Sequence, residues 1–231
     1  MVNETIFLLQ IITIVISCLI ALRLGKEALI ALIVLQAILA NLFISKEISL
    51  FSMCITCTDA YAVGAGFALN LLQEYYGKTI TKRTIWISFF ILLFYLVMSQ
   101  FQLWYYPLSP TAHHHFVFIL SIMPRLIGAS VVTYIISQYI DYSVYKTLKR
   151  KLHNRLFVLR NYGSLIISQT VDTILFSFLG LYGIMHNIGH IIAMSLIIKF
   201  LTIILGAPLI SLLRSYVKST SSDTNSINHK K

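Results

Sequence analysis

The chain has 231 residues, 58% of them hydrophobic and only 11% charged, with a mean hydropathy of +0.82. A soluble domain holds about 45–50% apolar and about 25% charged residues, so these proportions exclude one and point to a chain that crosses a membrane repeatedly. The surplus of 18 Lys and Arg over 8 Asp and Glu falls mainly between apolar runs, as in cytoplasmic loops, and no polar domain remains that would make nucleic acid a partner.

Apolar runs close to the length of about 20 residues needed to span a bilayer occur at Ile6–Leu22, Ala28–Ile44, Ile48–Tyr76, Ile85–Trp104, Phe116–Ile140, Tyr162–Leu181 and Ile188–Leu213. They predict an all-α, polytopic membrane helix bundle of about six to seven transmembrane helices. Residues 1–218 form its single domain, and 219–231, rich in Ser, Thr and Asn, a short disordered cytoplasmic tail. No Lys or Arg precedes the first run, so it is not read as a cleaved signal. The first two runs are short and fit either a tight helical hairpin or two thin spans. The third is too long for one straight crossing, and Gly64-Ala65-Gly66 is expected to bend or break it. Cys54 and Cys57 have C-x-x-C spacing but lack a second ligand pair. With Cys18 they are read as small apolar residues, and neither metal nor cofactor is expected.

Orientation follows from the basic residues. Lys78, Lys82 and Arg83 follow the third run, six Lys and Arg lie between Lys146 and Arg160, and Arg214, Lys218, Lys230 and Lys231 follow the last. The alternate connections, Tyr105–His115 and Tyr182–Asn187, contain no Lys or Arg. This places the N-terminus outside and the C-terminus in the cytoplasm of a multi-pass protein of the cell (inner) membrane. Trp104, Tyr105 and Tyr106 suit an aromatic belt at the outer interface. His113, His114 and His115 fall in the outward loop and are not read as a metal site, and His186 with His190 lacks the glutamate of a zinc protease.

Polar residues inside the runs are the candidates for function, because an ionisable group near mid-bilayer costs about 2.5–3.5 kcal/mol on insertion scales. At about 100° per residue, Asp59, Gly66, Asn70 and Glu74 share one face of the third span, and Ser130, Tyr134, Gln138 and Asp141 share one face of the fifth. The sixth span supplies Ser168, Gln169, Asp172, Thr173 and Phe176, and the seventh one cation, Lys199, at similar depth to Asp172. Arg125 lies nearer the outside, beside Pro124, which has the capacity to kink the helix. An unpaired buried charge is costly, so Asp172 or Asp59 is expected to neutralise Lys199 in at least one transport state. The competing role for Ser130, Thr173 and Asn70 is hydrogen bonding between helices, with Gly64, Gly66 and Gly128 permitting close packing. Near the cytoplasmic interface, Glu74 and Asp141 compete with plain solvation.

The motifs N-L-L-Q-E-Y-Y-G at Asn70–Gly77, R-L-I-G-A-S-V-V-T-Y-I-I-S-Q-Y-I-D at Arg125–Asp141 and S-Q-T-V-D-T-I-L-F at Ser168–Phe176, followed by Lys199 and Pro208, resemble the queuosine precursor transporter family, also called putative vitamin uptake transporter family 1. The resemblance implies uptake of a 7-deazaguanine: the 7-cyano or 7-aminomethyl base, or queuine. Many members carry Asp where this chain has Asn70, which leaves two implications: Asp59, on the same face, takes over that acid's role, or substrate preference differs. A guanine-like edge offers two adjacent donors that one carboxylate accepts. Asp172 is the expected acceptor, Gln169, Arg125 or Lys199 the expected donor to its carbonyl, and Tyr134 or Phe176 the stacking surface.

The expected function is therefore import of a 7-deazapurine through a polar cavity between the third, fifth, sixth and seventh spans, in a lipid bilayer, with no catalytic residues. The coupling ion and a homo-oligomeric state are left open. Two alternatives stand beside it: a substrate-binding subunit of a multi-component vitamin uptake transporter, and an intramembrane aspartyl-type enzyme using Asp59 and Asp172.

Overall fold

The computed structural model describes residues 2–50, 53–56, 58–151 and 157–200. The expected tail 219–231 and the basic end of the last span lie outside them. The chain is a helix bundle: α1 Val2–Leu24, α2 Lys26–Leu42, α3 Asp59–Tyr76, α4 Lys78–Trp104, α5 Pro110–Leu120, α6 Met123–Lys151, α7 Phe157–Phe176 and α8 Ile188–Phe200. A two-stranded antiparallel ribbon, β1 Glu47–Leu50 and β2 Met53–Thr56, joins α2 to α3, and a π-helical turn, Ser177–Leu181, extends α7. Three stretches, Val2–Leu24, Thr79–Trp104 and Pro110–Ser137, are long and apolar enough on their own to cross a bilayer.

The first two runs are separate antiparallel helices. At 1.5 Å per residue α1 is about 35 Å long and α2 about 26 Å. Gly25, at φ 117°, makes the reversal between them, and Gly77, at φ 87°, the one between α3 and α4; both conformations are open to glycine without a Cβ penalty. The third run differs from expectation. It does not break at Gly64-Ala65-Gly66, because its first part is the ribbon and the helix starts afresh at Asp59 and continues through both glycines. Ribbon backbone is tolerated at membrane depth only where its polar groups are paired. The Glu47↔Thr56 to Leu50↔Met53 ladder pairs them, and Asn3 Nδ2 donates to the Ser49 carbonyl at 2.8 Å.

The loop expected at 105–115 is also shorter than read. Pro110 occupies the first turn of α5, where its missing N–H and fixed φ suit a helix start, so His113, His114 and His115 are helical. Pro124 likewise sits in the first turn of α6 instead of kinking a continuous helix, and the chain breaks at Ser121-Ile122.

Packing falls into three clusters. Cys18, Leu29, Ile33, Phe67, Leu71 and Leu72 bind α1, α2 and α3. Leu120, Met123, Leu126, Leu181 and Ile191 join α5, α6, the π turn and α8 around Ile44. Phe7, Leu50, Ala60, Met194 and Ile198 tie α1, the ribbon and α3 to α8. The outward faces carry exposed apolar residues such as Ile6, Ile16, Trp86, Phe90 and Ile135, the surface that lipid covers. The three glycines part company: a Cβ on Gly64 would collide with Gln36 and Ile14, whereas Gly66 and Gly128 face open space.

Candidate functional site

Between these clusters lies a cavity of about 300 Å³, the lower end of the range for small-molecule sites. Its wall on α6 is Ser130, Thr133 and Tyr134; on α7, Asp172, Thr173 and Phe176; on α8, Ile191, Ser195 and Lys199; and on α3, Asp59, Ala62 and Ala65. Spacings of three and four residues put each set on one helix face. Two further helices and the ribbon complete it: Asn41 from α2, Ser88 and Phe89 from α4, and Thr56 with Thr58 at the end of β2.

Several polar groups of the wall are satisfied by their own helix. Ser130 donates to the Leu126 carbonyl, Ser88 to Thr84 and Thr173 to Gln169, each at 2.9 Å, and the Asn41 amide donates to Ala37 at 2.8 Å. Such back-bonding solves the polar-group problem within one element in a medium without water. It also leaves oxygen lone pairs facing the cavity. Phe89 meets Tyr134 edge to face, with ring centroids 5.0 Å apart.

The charged groups meet on α8. Lys199 Nζ donates to Asp172 Oδ2 at 3.0 Å and to Thr173 Oγ1 at 2.9 Å, and Ser137 Oγ lies 3.5 Å from the other Asp172 oxygen. One turn earlier, Ser195 Oγ donates to Asp59 Oδ1 at 2.8 Å. Of the two acids expected for Lys199, Asp172 holds the ion pair. The pair is partly open, with side-chain exposures of 16% for Lys199 and 26% for Asp172, so it keeps contact with whatever fills the cavity.

Of the residues singled out from sequence, Asp59, Ser130, Tyr134, Asp172, Thr173, Phe176 and Lys199 come together in the wall. Ser168 is buried and Gln169 half-buried, neither in the wall, and Asn70 is exposed. Glu74 and Gln138 sit on α3 and α6, but their side chains lie outside the described set. Arg125 is exposed and donates Nε to the Leu179 carbonyl at 2.8 Å and Nη2 to the Tyr182 carbonyl at 2.6 Å. It thereby collects carbonyls at the C-terminal end of α7 and its π turn, where a cation is favoured. The Asp59-to-Glu74 face splits because the cavity side of α3 runs through Asp59, Ala62, Ala65 and Leu69, rotated from Asn70 by roughly a quarter-turn.

Sequence reasoning missed Asn41, Thr56, Thr58, Ser88, Thr133, Ser137 and Ser195. Three were within reach: Thr133 and Ser137 follow an i, i+3, i+4, i+7 pattern with Ser130 and Tyr134, and Ser195 stands one turn before Lys199.

Residues 60–213 match the family described as "Putative vitamin uptake transporter". The chain is also 31% identical over 192 residues, 80% of its own length and 82% of the relative's, to a protein of Bacillus subtilis (strain 168) named "Probable queuosine precursor transporter". The chain belongs to the putative vitamin uptake transporter family. It is a membrane transporter and not an enzyme. The aspartyl alternative also meets a geometric objection, since Asp59 and Asp172 each have their own partner on α8 instead of sharing a site as such a dyad requires. The family match begins one residue after Asp59, so it takes in α3 to α8 beyond that residue and leaves out Asn41, Thr56 and Thr58 of the wall. No solved structure matches the chain.

Proposed function

We propose that this transporter imports a 7-deazaguanine precursor of queuosine across the cell (inner) membrane and holds the base in the cavity between α2, α3, α4, α6, α7 and α8. The observation that carries the reading is the partly open Asp172–Lys199 pair beside Tyr134, Phe89 and Phe176. A guanine-like edge needs an acceptor for its ring N–H and amine and a donor for its carbonyl. A carboxylate and an ammonium 3.0 Å apart supply both, and aromatic side chains offer stacking surfaces worth about 1–3 kcal/mol per base in nucleic-acid binders.

The reading includes seven crossings, made by α1, α2, α3, α4, the α5–α6 stretch, α7 and α8, with the N-terminus outside. Three contacts support it by joining segments that this arrangement puts on the outer side: Asn3 with Ser49, Glu47 with His186, and Arg125 with Tyr182. The test is uptake of labelled base by queuosine-deficient cells producing the chain, with Asp172→Asn at matched expression. Uptake is expected for the wild type and its loss for the variant. Unaltered uptake by Asp172→Asn would remove that residue from the site, and failure of every base to be taken up would overturn the substrate while leaving the transporter.

A further inference from the structure

Asp59 has an unmet requirement that the base edge does not fill. Its side chain is 9% exposed, at the first residue of α3 and in the cavity wall. Oδ1 accepts from Ser195, but Oδ2 is buried with no hydrogen-bond partner among the described residues. A carboxylate has about four acceptor positions, and a buried polar atom left unpaired is costly. The cavity also carries a charge imbalance. Among the described residues, those charged in its wall are Asp59, Asp172 and Lys199, and Lys199 is already hydrogen-bonded to Asp172 and Thr173. One carboxylate is therefore in excess of the cations.

Two features bring positive potential toward Asp59. The N-terminus of α3 presents the positive end of its dipole to the first residue, and Lys199 lies one turn from Ser195 on the same helix. What is missing is a positively charged donor for Oδ2. The turn separating Ser195 from Lys199, about 6 Å of rise, sets Asp59 apart from Asp172 along the cavity, so a fused two-ring base engaging Asp172 by one edge would direct a substituent on its other ring toward Asp59.

We propose that Asp59 is the charge-selecting residue of this cavity and receives an alkylammonium group on the ligand, so that a cationic substituted base is taken in preference to its neutral analogue. The inference rests on the proposed function and names the ligand class within it. An aminomethyl substituent stays protonated near neutral pH, as alkylamines do, and offers three N–H donors to Oδ2. A cyano group in that place is uncharged and turns an acceptor nitrogen toward a carboxylate.

The experiment is equilibrium binding to the purified full-length protein in lipid nanodiscs, using 7-aminomethyl- and 7-cyano-7-deazaguanine as probes. The wild type is expected to bind the aminomethyl base more tightly by about 10-fold or more, the scale of a hydrogen bond between charged groups. Asp59→Asn, which keeps the shape and an acceptor for Ser195, is expected to bring the ratio of the two affinities toward one through loss on the aminomethyl side. Equal affinities in the wild type overturn the proposal without any variant, as would a carboxyl occupied by a proton or a metal cation, which leaves the bases undistinguished. An Asp59→Asn protein that loses both affinities by the same factor, or neither, also overturns it and assigns Asp59 a packing role. Binding of the cyano base alone overturns this inference and leaves the proposed function standing; binding of neither overturns this inference, and failure of queuine to bind as well removes the proposed substrate.

Discussion

Lys199 is the residue on which the polar interior turns, since its ammonium serves Asp172 and Thr173 together. Replacing it with Met leaves Asp172 without its cation. Breaking one side of a fully buried pair costs about 3–5 kcal/mol, and the partial exposure of this pair puts the expected loss at or below the lower end, about 3 kcal/mol. The measurement is chemical or thermal unfolding in detergent, with Lys199→Met combined with Asp172→Asn expected to recover most of the stability and none of the uptake. Gly64 gives a second residue-scale prediction. Gly64→Ala should destabilise by about 1–3 kcal/mol through overpacking against Gln36 and Ile14, while Gly66→Ala and Gly128→Ala, which meet nothing within 4 Å, should leave the unfolding midpoint nearly in place. That Lys199 would meet Asp172 or Asp59 was legible in the sequence, because charge at mid-span is rare and its depth can be counted from the loops; the choice of Asp172 came from the structure. Asn41 and Ser88 were not legible, because a polar side chain in a membrane helix acquires meaning only from the face opposite it.

Among the elements, the π turn after α7 shows how a local departure from α geometry is secured from a distance. Widening a helix end leaves carbonyls without intrahelical donors, and Arg125, on the facing end of α6, binds those of Leu179 and Tyr182. Arg125→Ala is expected to cost about 1.5–3 kcal/mol per charge-assisted bond lost, before relaxation, seen as a lower unfolding midpoint, while base affinity stays within about twofold because the guanidinium is outside the cavity wall. Outright loss of base affinity in a folded Arg125→Ala protein would contradict this. The ribbon was the element least legible in advance. Residues 47–56 contain no Gly, Pro or Asn to mark a turn, and a short apolar run reads equally as strand or buried helix. Only the pairing of Ile48 with Ile55 and Ser49 with Cys54 distinguishes them. The long helices, by contrast, followed directly from apolar length, whereas the boundaries set by Gly25, Gly77 and Pro110 came from the structure.

For the molecule as a whole, the basic loops and the contacts at the opposite end give a topology open to direct test. In a background with Cys18, Cys54 and Cys57 replaced, a cysteine at Tyr106, which is 97% exposed, should react with a membrane-impermeant maleimide on intact cells. One at Arg150 should react only after permeabilisation, and the reverse pattern would invert the proposed orientation. The position of α8 carries a consequence for how such a protein is made. Its Ser195 and Lys199 serve Asp59 on α3 and Asp172 on α7, both synthesised earlier. Until α8 enters the bilayer, Asp59 lacks its Ser195 donor and Asp172 lacks its cation, Lys199. Arrival of the last helix completes the electrostatics of the interior, so a transcript truncated before Ile188 would leave the cell with a product suited to quality-control proteolysis and not to assembly.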